Sequence, residues 1–463
     1  DKKWVIAMIS QFHSVVVDKL AEFYDQGIPD VFKRDISLGE VQKPARSNLV
    51  QVVVGVRRCG KTYRLYQEMH RILELGYDFE SILYFNFDDE RLKPYDSSVL
   101  NDVVETYYSM HPASKTNGAF FFFDEIQEIP DWGAFMRRMV DTQVATIYVT
   151  GSSSKMLSLS LATEFRGRAL SREMFPMSFS EYVRFHGHQV AGGVLSGDKE
   201  ASSAERARLR KACGSYLEGG GFIAAQNLSR ADATQLLQEY ANRTVNYDII
   251  ERYGIGNPLA ASLFLSRCMA TSARELSVNK VYNEFRSRGI SIGRESLSRL
   301  LGYYEEAYLL FSVKNYSTAL ADNARSAAKV YAADPALFAS FSPSSSVDSG
   351  QRLETAVFDR LRRVSPSMRQ GAISRCLFED GGKRHEIDFV VGDALLLEPL
   401  HLIQVSVSLN DQKTKKREVA ALVAGMRKLH AQDAVIVTSD EEGEIETSEG
   451  VIKIAPAWKW LLG

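Results

Sequence analysis

Apolar residues recur at helical spacing from the start of the chain. Trp4, Val5, Met8, Ile9, Phe12, Val15, Val16, Leu20 and Phe23 share one face. The pattern predicts a docking helix within residues 1–27. Between Asn48 and Thr150 short apolar runs alternate with helical stretches. Residues 49–54, 82–87, 119–123 and 146–150 read as buried strands, and 63–75, 99–110 and 132–140 as helices. Such alternation predicts a parallel sheet covered on both faces. The character changes after Gly187. Residues 188–221, rich in Gly, Ala, Ser and charge, read as a boundary with loops. Residues 222–270 read as helical, and 277–315 as short helices followed by a small hairpin. A Ser-rich linker, SFSPSSSVDSGQ, spans 340–351. Beyond it a helix at 352–364, strands at 387–391, 394–397, 402–407 and 434–438, and a helix at 415–430 predict a second α/β unit. The acidic run DEEGEIETSE at 440–449 reads as a solvated turn.

Length adds that the chain holds about three domains, since it has 463 residues. The net charge of −2 excludes a basic footprint over the whole chain, so any nucleic-acid surface must be local. Cys59, Cys213, Cys268 and Cys376 form no CxxC pair, which fits a reducing compartment and argues against structural zinc. No apolar run is long enough to span a bilayer, and residues 1–12 lack the apolar segment of a signal peptide. The expectation is a cytoplasmic protein with no membrane partner.

Four motifs carry chemistry. Gly55-Val56-Arg57-Arg58-Cys59-Gly60-Lys61-Thr62 is GxxxxGK[ST], with the strand LVQVVV before it and a helix beginning at Tyr63 after it. A loop in that position turns backbone N–H groups inward, and its glycines let the main chain wrap phosphates. Lys61 would reach the β- and γ-phosphates and Thr62 would ligate Mg²⁺. Ala119-Phe-Phe-Phe-Phe-Asp124-Glu125 is a buried strand ending in two acids. Asp124 is the second candidate Mg²⁺ residue, and Glu125 the candidate that polarises the attacking water. The strand IYVTGSSS ends in small polar residues, of which Ser152 or Ser153 would sense the γ-phosphate. In EFRGRAL, Arg168 is the candidate for transition-state charge, in cis or in trans.

GVRRCGKT, FFFFDEIQ, TGSSSKML, EFRGRA and MFPMSFSEYVRFHG occur in this order. Together they resemble prokaryotic AAA+-type ATPases of the STAND and archaeal-ATPase branch, which carry a C-terminal restriction-nuclease-like domain of unknown function. The resemblance runs from about residue 28 to 460. It implies an α/β fold class: a P-loop parallel-sheet ATPase core (28–190), a helical lid (191–270), a winged helix (271–339) and a restriction-endonuclease-like α/β domain (352–463). It implies ATP and Mg²⁺ as cofactors and puts Pro258, in the segment YGIGNPL, near the nucleotide. Lys33-Arg34-Asp35 resembles the family's segment ahead of the P-loop and would lie near the base or phosphates.

Residues 267–299 hold seven Lys and Arg against three Glu, and Arg294 opens the helix that would enter a DNA groove. DNA and a protein partner both stay open for this surface, as they do for a C-terminal basic strip of Arg352, Arg360, Arg362, Arg363, Arg369 and Arg375. In the nuclease-like domain Glu354 and Asp388 occupy the acid positions. Gln404 and Ser406, however, stand where the family's third acid and its lysine belong. The expectation is a vestigial, non-cleaving site, with Lys413, Lys415 or Lys416 as candidates for a migrated lysine. The reading is an Mg²⁺-dependent ATPase whose nucleotide state switches the modules that follow. A non-hydrolysing ATP-gated scaffold and an ATP-gated nuclease are the alternatives. An arginine acting in trans would make a homo-oligomer.

Overall fold

The structure is a computed structural model. It describes residues 13–152, 167–188, 190, 201–316, 327–342, 349–364, 372–392 and 398–463. The candidates Ser153 and Arg369, the strand expected at 394–397 and residues 1–12 of the expected N-terminal helix lie outside the described residues. The chain divides after Met174 into two compact units.

In the first unit α1 (His13–Gln26) is followed by β1 (Val50–Gly55), α2 (Lys61–Glu74), β2 (Ile82–Asn86), α3 (Ser98–Met110), β3 (Ala119–Asp124), α4 (Trp132–Thr142), β4 (Ala145–Gly151) and β5 (Ala169–Met174). The five strands form one sheet in the order β2-β3-β4-β1-β5, and every pairing is parallel. Strands β1, β3 and β4 are buried at every residue. Burial on both faces explains why VQVVV and AFFFF run without polar alternation. Phe122 stacks on Tyr148 of the neighbouring strand with centroids 4.6 Å apart. Because β4 separates β1 from β3, the loop after β1 and the acids of β3 open on the same edge of the sheet, with the end of β4 between them.

The second unit begins with α5 (Phe179–Phe185), α6 (Ser203–Gly219), α7 (Arg230–Arg243), a π-helical turn at Thr244–Glu251 and α8 (Pro258–Ala270). Helix α6 corrects the expectation of loops over 188–221. Its apolar residues are few, but Leu209, Ala212, Cys213 and Tyr216 fall on one buried stripe, and the Ser202 hydroxyl caps the first turn. Next come β6 (Arg274–Glu275), α9 (Val278–Ser287), α10 (Arg294–Glu306), β7 (Leu310–Val313) and β8 (Lys329–Ala332). The three strands pair antiparallel in the order β6-β8-β7. After α11 (Pro335–Phe341) and α12 (Ser349–Val364) the chain builds β9 (Ile373–Asp380), β10 (Lys383–Val391), β11 (His401–Val405), α13 (Gln412–Leu429), β12 (Asp433–Thr438), β13 (Gly443–Thr447), β14 (Gly450–Pro456) and α14 (Ala457–Leu462). Their sheet has the order β13-β14-β12-β11-β10-β9. The run at 440–449 is therefore not simply a solvated turn. Residues 443–447 form an edge strand, antiparallel to β14 and largely open to solvent, which is why its acids leave it no apolar signature.

Candidate functional site

The loop between β1 and α2 is shaped by left-handed backbone. Gly55 has φ +148°, Arg58 +68° and Gly60 +100°. Gly55 is required twice over: by its dihedral, and because a Cβ there would lie 1.9 Å from the carbonyl oxygen of Met174. The Cys59 thiol donates to that same carbonyl, 3.4 Å away. Arg34, 4% exposed, donates from Nη1 to the Cys59 carbonyl at 2.7 Å. Its backbone is clasped by the Gln67 amide through two hydrogen bonds. The segment ahead of the P-loop thus reaches the loop through Arg34, which braces it from the side.

Lys61 and Thr62 open α2. Lys61 is buried, and its Nζ donates to the carbonyls of Gly55 and Val56 at 3.3 and 3.4 Å. A third contact reaches Glu125 Oε1 at 3.5 Å. The Thr62 hydroxyl donates to Asp124 Oδ2 at 2.7 Å. Asp124 is fully buried and takes more partners than its own strand supplies. Oδ2 also accepts from Tyr84 at 3.1 Å and from Asn86 Nδ2 at 3.3 Å, and Oδ1 accepts the Thr150 hydroxyl. Thr150 in turn accepts the Glu125 N–H at 2.9 Å. One buried hydroxyl on β4 therefore fixes both acids of β3. Glu125 itself sits at φ +53°, a conformation costing a non-glycine residue about 1–3 kcal/mol. It turns the side chain toward Lys61, and Gln127 donates to its Oε2 at 2.6 Å.

The two acids titrate in opposite directions. Burial, and after it the Glu125 charge, raises Asp124 despite the bonds from Thr150 and Thr62. Burial also works against the Glu125 charge, but Lys61 and the Gln127 amide outweigh it and hold that carboxyl below its ordinary value. Glu125 is thus charged near neutrality, and a further cation beside Asp124 would favour its charged form. A hard divalent cation fits that position, because a hydroxyl and a carboxylate oxygen already face each other there.

The remaining candidates fall in different places. Ser152 is buried at the end of β4, where its hydroxyl accepts from Gln127 Nε2 at 3.5 Å. Val56, Arg57 and Arg58 complete the loop, and Tyr63 is 56% exposed on the first turn of α2. Arg168 is a correction. Ala169 pairs with Val50 at the start of β1, whereas Gly55 pairs with Met174. Arg168 therefore stands about 20 Å down the sheet from the loop, at about 3.3 Å per residue, and its guanidinium pairs with Asp141. It does not reach the P-loop of its own chain. Pro258 opens α8 in the second unit, behind an Asn257 cap whose side chain accepts the Ala260 N–H. Tyr84, Asn86 and Thr150 went unnoticed in the sequence, where each is a single polar residue within or at the end of an apolar run.

In the C-terminal domain Glu354 (α12), Asp388 (β10) and Gln404 (β11) do come together. Asp388 N–H donates to Gln404 Oε1 at 3.2 Å, and Gln404 Nε2 donates to Glu418 Oε2 at 2.7 Å. The lysine among them is none of the expected ones. Lys329 of β8 lies 2.6 Å from Glu354, 3.1 Å from Asp388 and 3.4 Å from Glu386. Burial, then the Asp388 charge, pushes Glu354 up to about 8, against the pull of Lys329. The C-terminal basic strip is a further correction. Arg375 is buried against Glu275, while Arg360, Arg362 and Arg363 lie over the rings of Trp460, Phe311 and Phe175. Arg352, Arg360, Arg362 and Arg363 are half-buried, so none of the described members is fully open.

A glycine-rich loop after β1, facing acids across β4, defines the class of the first unit: a P-loop site on a parallel sheet. The family described as AAA domain matches residues 47–183, and a domain of unknown function (DUF8612) matches 210–348. The chain is 32% identical over 462 residues to the uncharacterized protein MJ1544 of Methanocaldococcus jannaschii, covering 97% of this chain and 95% of that one. It belongs to the same family. An uncharacterized protein of Haemophilus influenzae is 24% identical over 348 residues, 75% of this chain and 80% of that one. Among solved structures the Aeropyrum pernix ORC1 protein in complex with DNA aligns over 72% of this chain and 92% of its own, at 14% identity and a TM-score of 0.30. Among the described residues no helix is long and apolar enough to cross a membrane.

Proposed function

We propose that the first unit binds ATP with Mg²⁺ and hydrolyses it. The observation that carries this reading is the meeting of Lys61, Thr62, Asp124 and Glu125 at one edge of a parallel sheet, beside a loop of left-handed backbone. Lys61 is held by contacts of 3.3–3.5 Å, which phosphate oxygens can take over. Thr62 and Asp124 would hold Mg²⁺, which would supply positive charge to the phosphates. Glu125, charged and aimed by its own backbone, orients a water and accepts its proton as the water oxygen bonds to the γ-phosphorus. The bond to the β-phosphate oxygen breaks, and ADP and phosphate leave. Phosphate release by the purified chain tests this. Lys61→Ala should lose ATP binding, and Glu125→Gln should bind ATP without turning it over. Equal ATP affinity in wild type and Lys61→Ala would sink the reading. Binding without turnover in the wild type would leave the ATP-gated scaffold.

A second reading concerns DNA. The order α8-β6-α9-α10-β7-β8, with its three-stranded antiparallel sheet, supports a winged helix. Lys280, Arg286, Arg288, Arg294 and Arg299 are exposed there, together with Asn279 and Asn283. The acids at the far end of α10 are turned away: Glu306 accepts from Tyr253 at 3.0 Å, and burial raises Glu305. The basic end is therefore the open one, which suits duplex phosphates. Charge reversal at Arg294 and Arg299 should weaken duplex binding and flatten its salt dependence. Unchanged affinity would favour a protein partner for this face. The helix-strand-strand-strand-helix-strand order from α12 to β12 supports a restriction-nuclease-like fold for the last domain.

A further inference from the structure

The acids of the C-terminal domain converge as metal ligands would. Glu354 comes from a helix, Asp388 and Glu386 from one strand, and their oxygens surround a single point. That point is occupied by a side chain of the same polypeptide. Lys329 Nζ contacts all three carboxylates within 2.6–3.4 Å, and its side chain is 8% exposed. Further donors take up other oxygens of the cluster. Asp388 Oδ2 accepts the Val405 N–H at 2.9 Å, and Glu354 Oε1 also accepts the Tyr331 hydroxyl at 2.8 Å. The oxygen of Gln404, its only group able to ligate a metal, accepts the Asp388 N–H at 3.2 Å. These residues do not fit a divalent cation while the lysine is present.

Nor is the lysine free to swing out. Its backbone is fixed in β8, opposite Glu275 of β6 and Val313 of β7. Tyr331, two residues on, shares its acceptor on Glu354 and stacks on Phe358 at 4.5 Å. A second buried cation crosses the same seam: Arg375 of β9 reaches Glu275 at 2.8 Å and the Ala327 carbonyl at 2.7 Å.

We propose that Lys329 is the resident cation of this acid cluster, standing where a metal ion would stand. On this view the C-terminal domain takes no divalent cation there and cuts no nucleic acid. Its acids instead anchor the three-stranded sheet β6-β8-β7 through β8. The inference is independent of the ATPase reading, because it concerns a cluster wholly within the second unit.

The test is a Mn²⁺ titration of the nucleotide-free full chain, followed by the electron paramagnetic resonance of free Mn²⁺. Wild type and Asp388→Asn should give the same binding curve. Lys329→Ala should gain a Mn²⁺ site that Asp388→Asn, added to it, removes. Mn²⁺ should also restore several degrees of the melting temperature that Lys329→Ala loses. A folded Lys329→Ala chain that gains no site would overturn the proposal. So would a wild-type site that disappears in Asp388→Asn or Glu354→Gln. Should Lys329→Ala not fold, wild type alone still decides. Mn²⁺-dependent nicking of supercoiled plasmid that Glu354→Gln abolishes would end the proposal, and its absence is the expected result.

Discussion

Each unit of this protein buries a lysine beside acids, and the two clusters are built to opposite effect. Around Lys61 one carboxylate and two carbonyls stand at 3.3–3.5 Å. Around Lys329 three carboxylates stand at 2.6–3.4 Å. The first ammonium is under-coordinated and sits in a loop whose backbone favours an anion. The second has its counter-charges already, drawn from two elements, α12 and β10. An incoming phosphate therefore gains what Lys61 lacks, whereas any ligand approaching Lys329 must first displace a better one. The same residue types make a docking point in one place and a clamp in the other, and the difference lies in how completely the fold satisfies the charge.

The comparison is sharpest under lysine removal. Lys329→Ala strands buried carboxylates and should destabilise the second unit by about 3–5 kcal/mol, read by urea unfolding, with ATP turnover unchanged. A loss near zero would mean that the clamp is ornamental. Lys61→Ala should do the reverse. Phosphate release should fall on the order of 10²–10³-fold, with little change in the unfolding curve.

A smaller effect concerns a buried acid outside both clusters. Asp334, fully buried beside the Gly221 and Ala336 N–H groups, is pushed by burial from 3.8 to about 6. A raised pKa stabilises the fold fully below 3.8 and loses that contribution as pH rises through 6. Between pH 4 and 7 wild type should therefore lose up to about 3 kcal/mol relative to Asp334→Asn. A difference that does not move with pH would show that Asp334 does not titrate in that window. The smallest contrast lies on β4. Thr150→Ala removes the hydroxyl that fixes Asp124 and Glu125 and should cost about 1–2 kcal/mol in turnover, with Thr150→Ser restoring it. Ser152→Ala, losing one 3.5 Å contact, should stay within about 0.5 kcal/mol. Equal losses would support a γ-phosphate-sensing role for Ser152.

Much of this was legible along the chain. GVRRCGKT and FFFFDE are contiguous, and a strand followed by a turn of fixed chemistry needs only its own residues to declare itself. The four strands read from apolar runs in the first unit lie where those runs are. Helix α6 was hidden because its buried stripe is four residues among many polar ones, and β13 because an edge strand need not be apolar.

The sequence by itself thus determined the nucleotide loop, its two acids and the parallel sheet that carries them, since local spacing dictates each. Only the tertiary structure decided which hydroxyl pins those acids, where Arg168 goes, and that Lys329 meets Asp388 across 59 residues of chain. Strand order and register set those meetings. They arise from long-range burial of apolar faces, which specifies neighbours without writing their identity into any one segment.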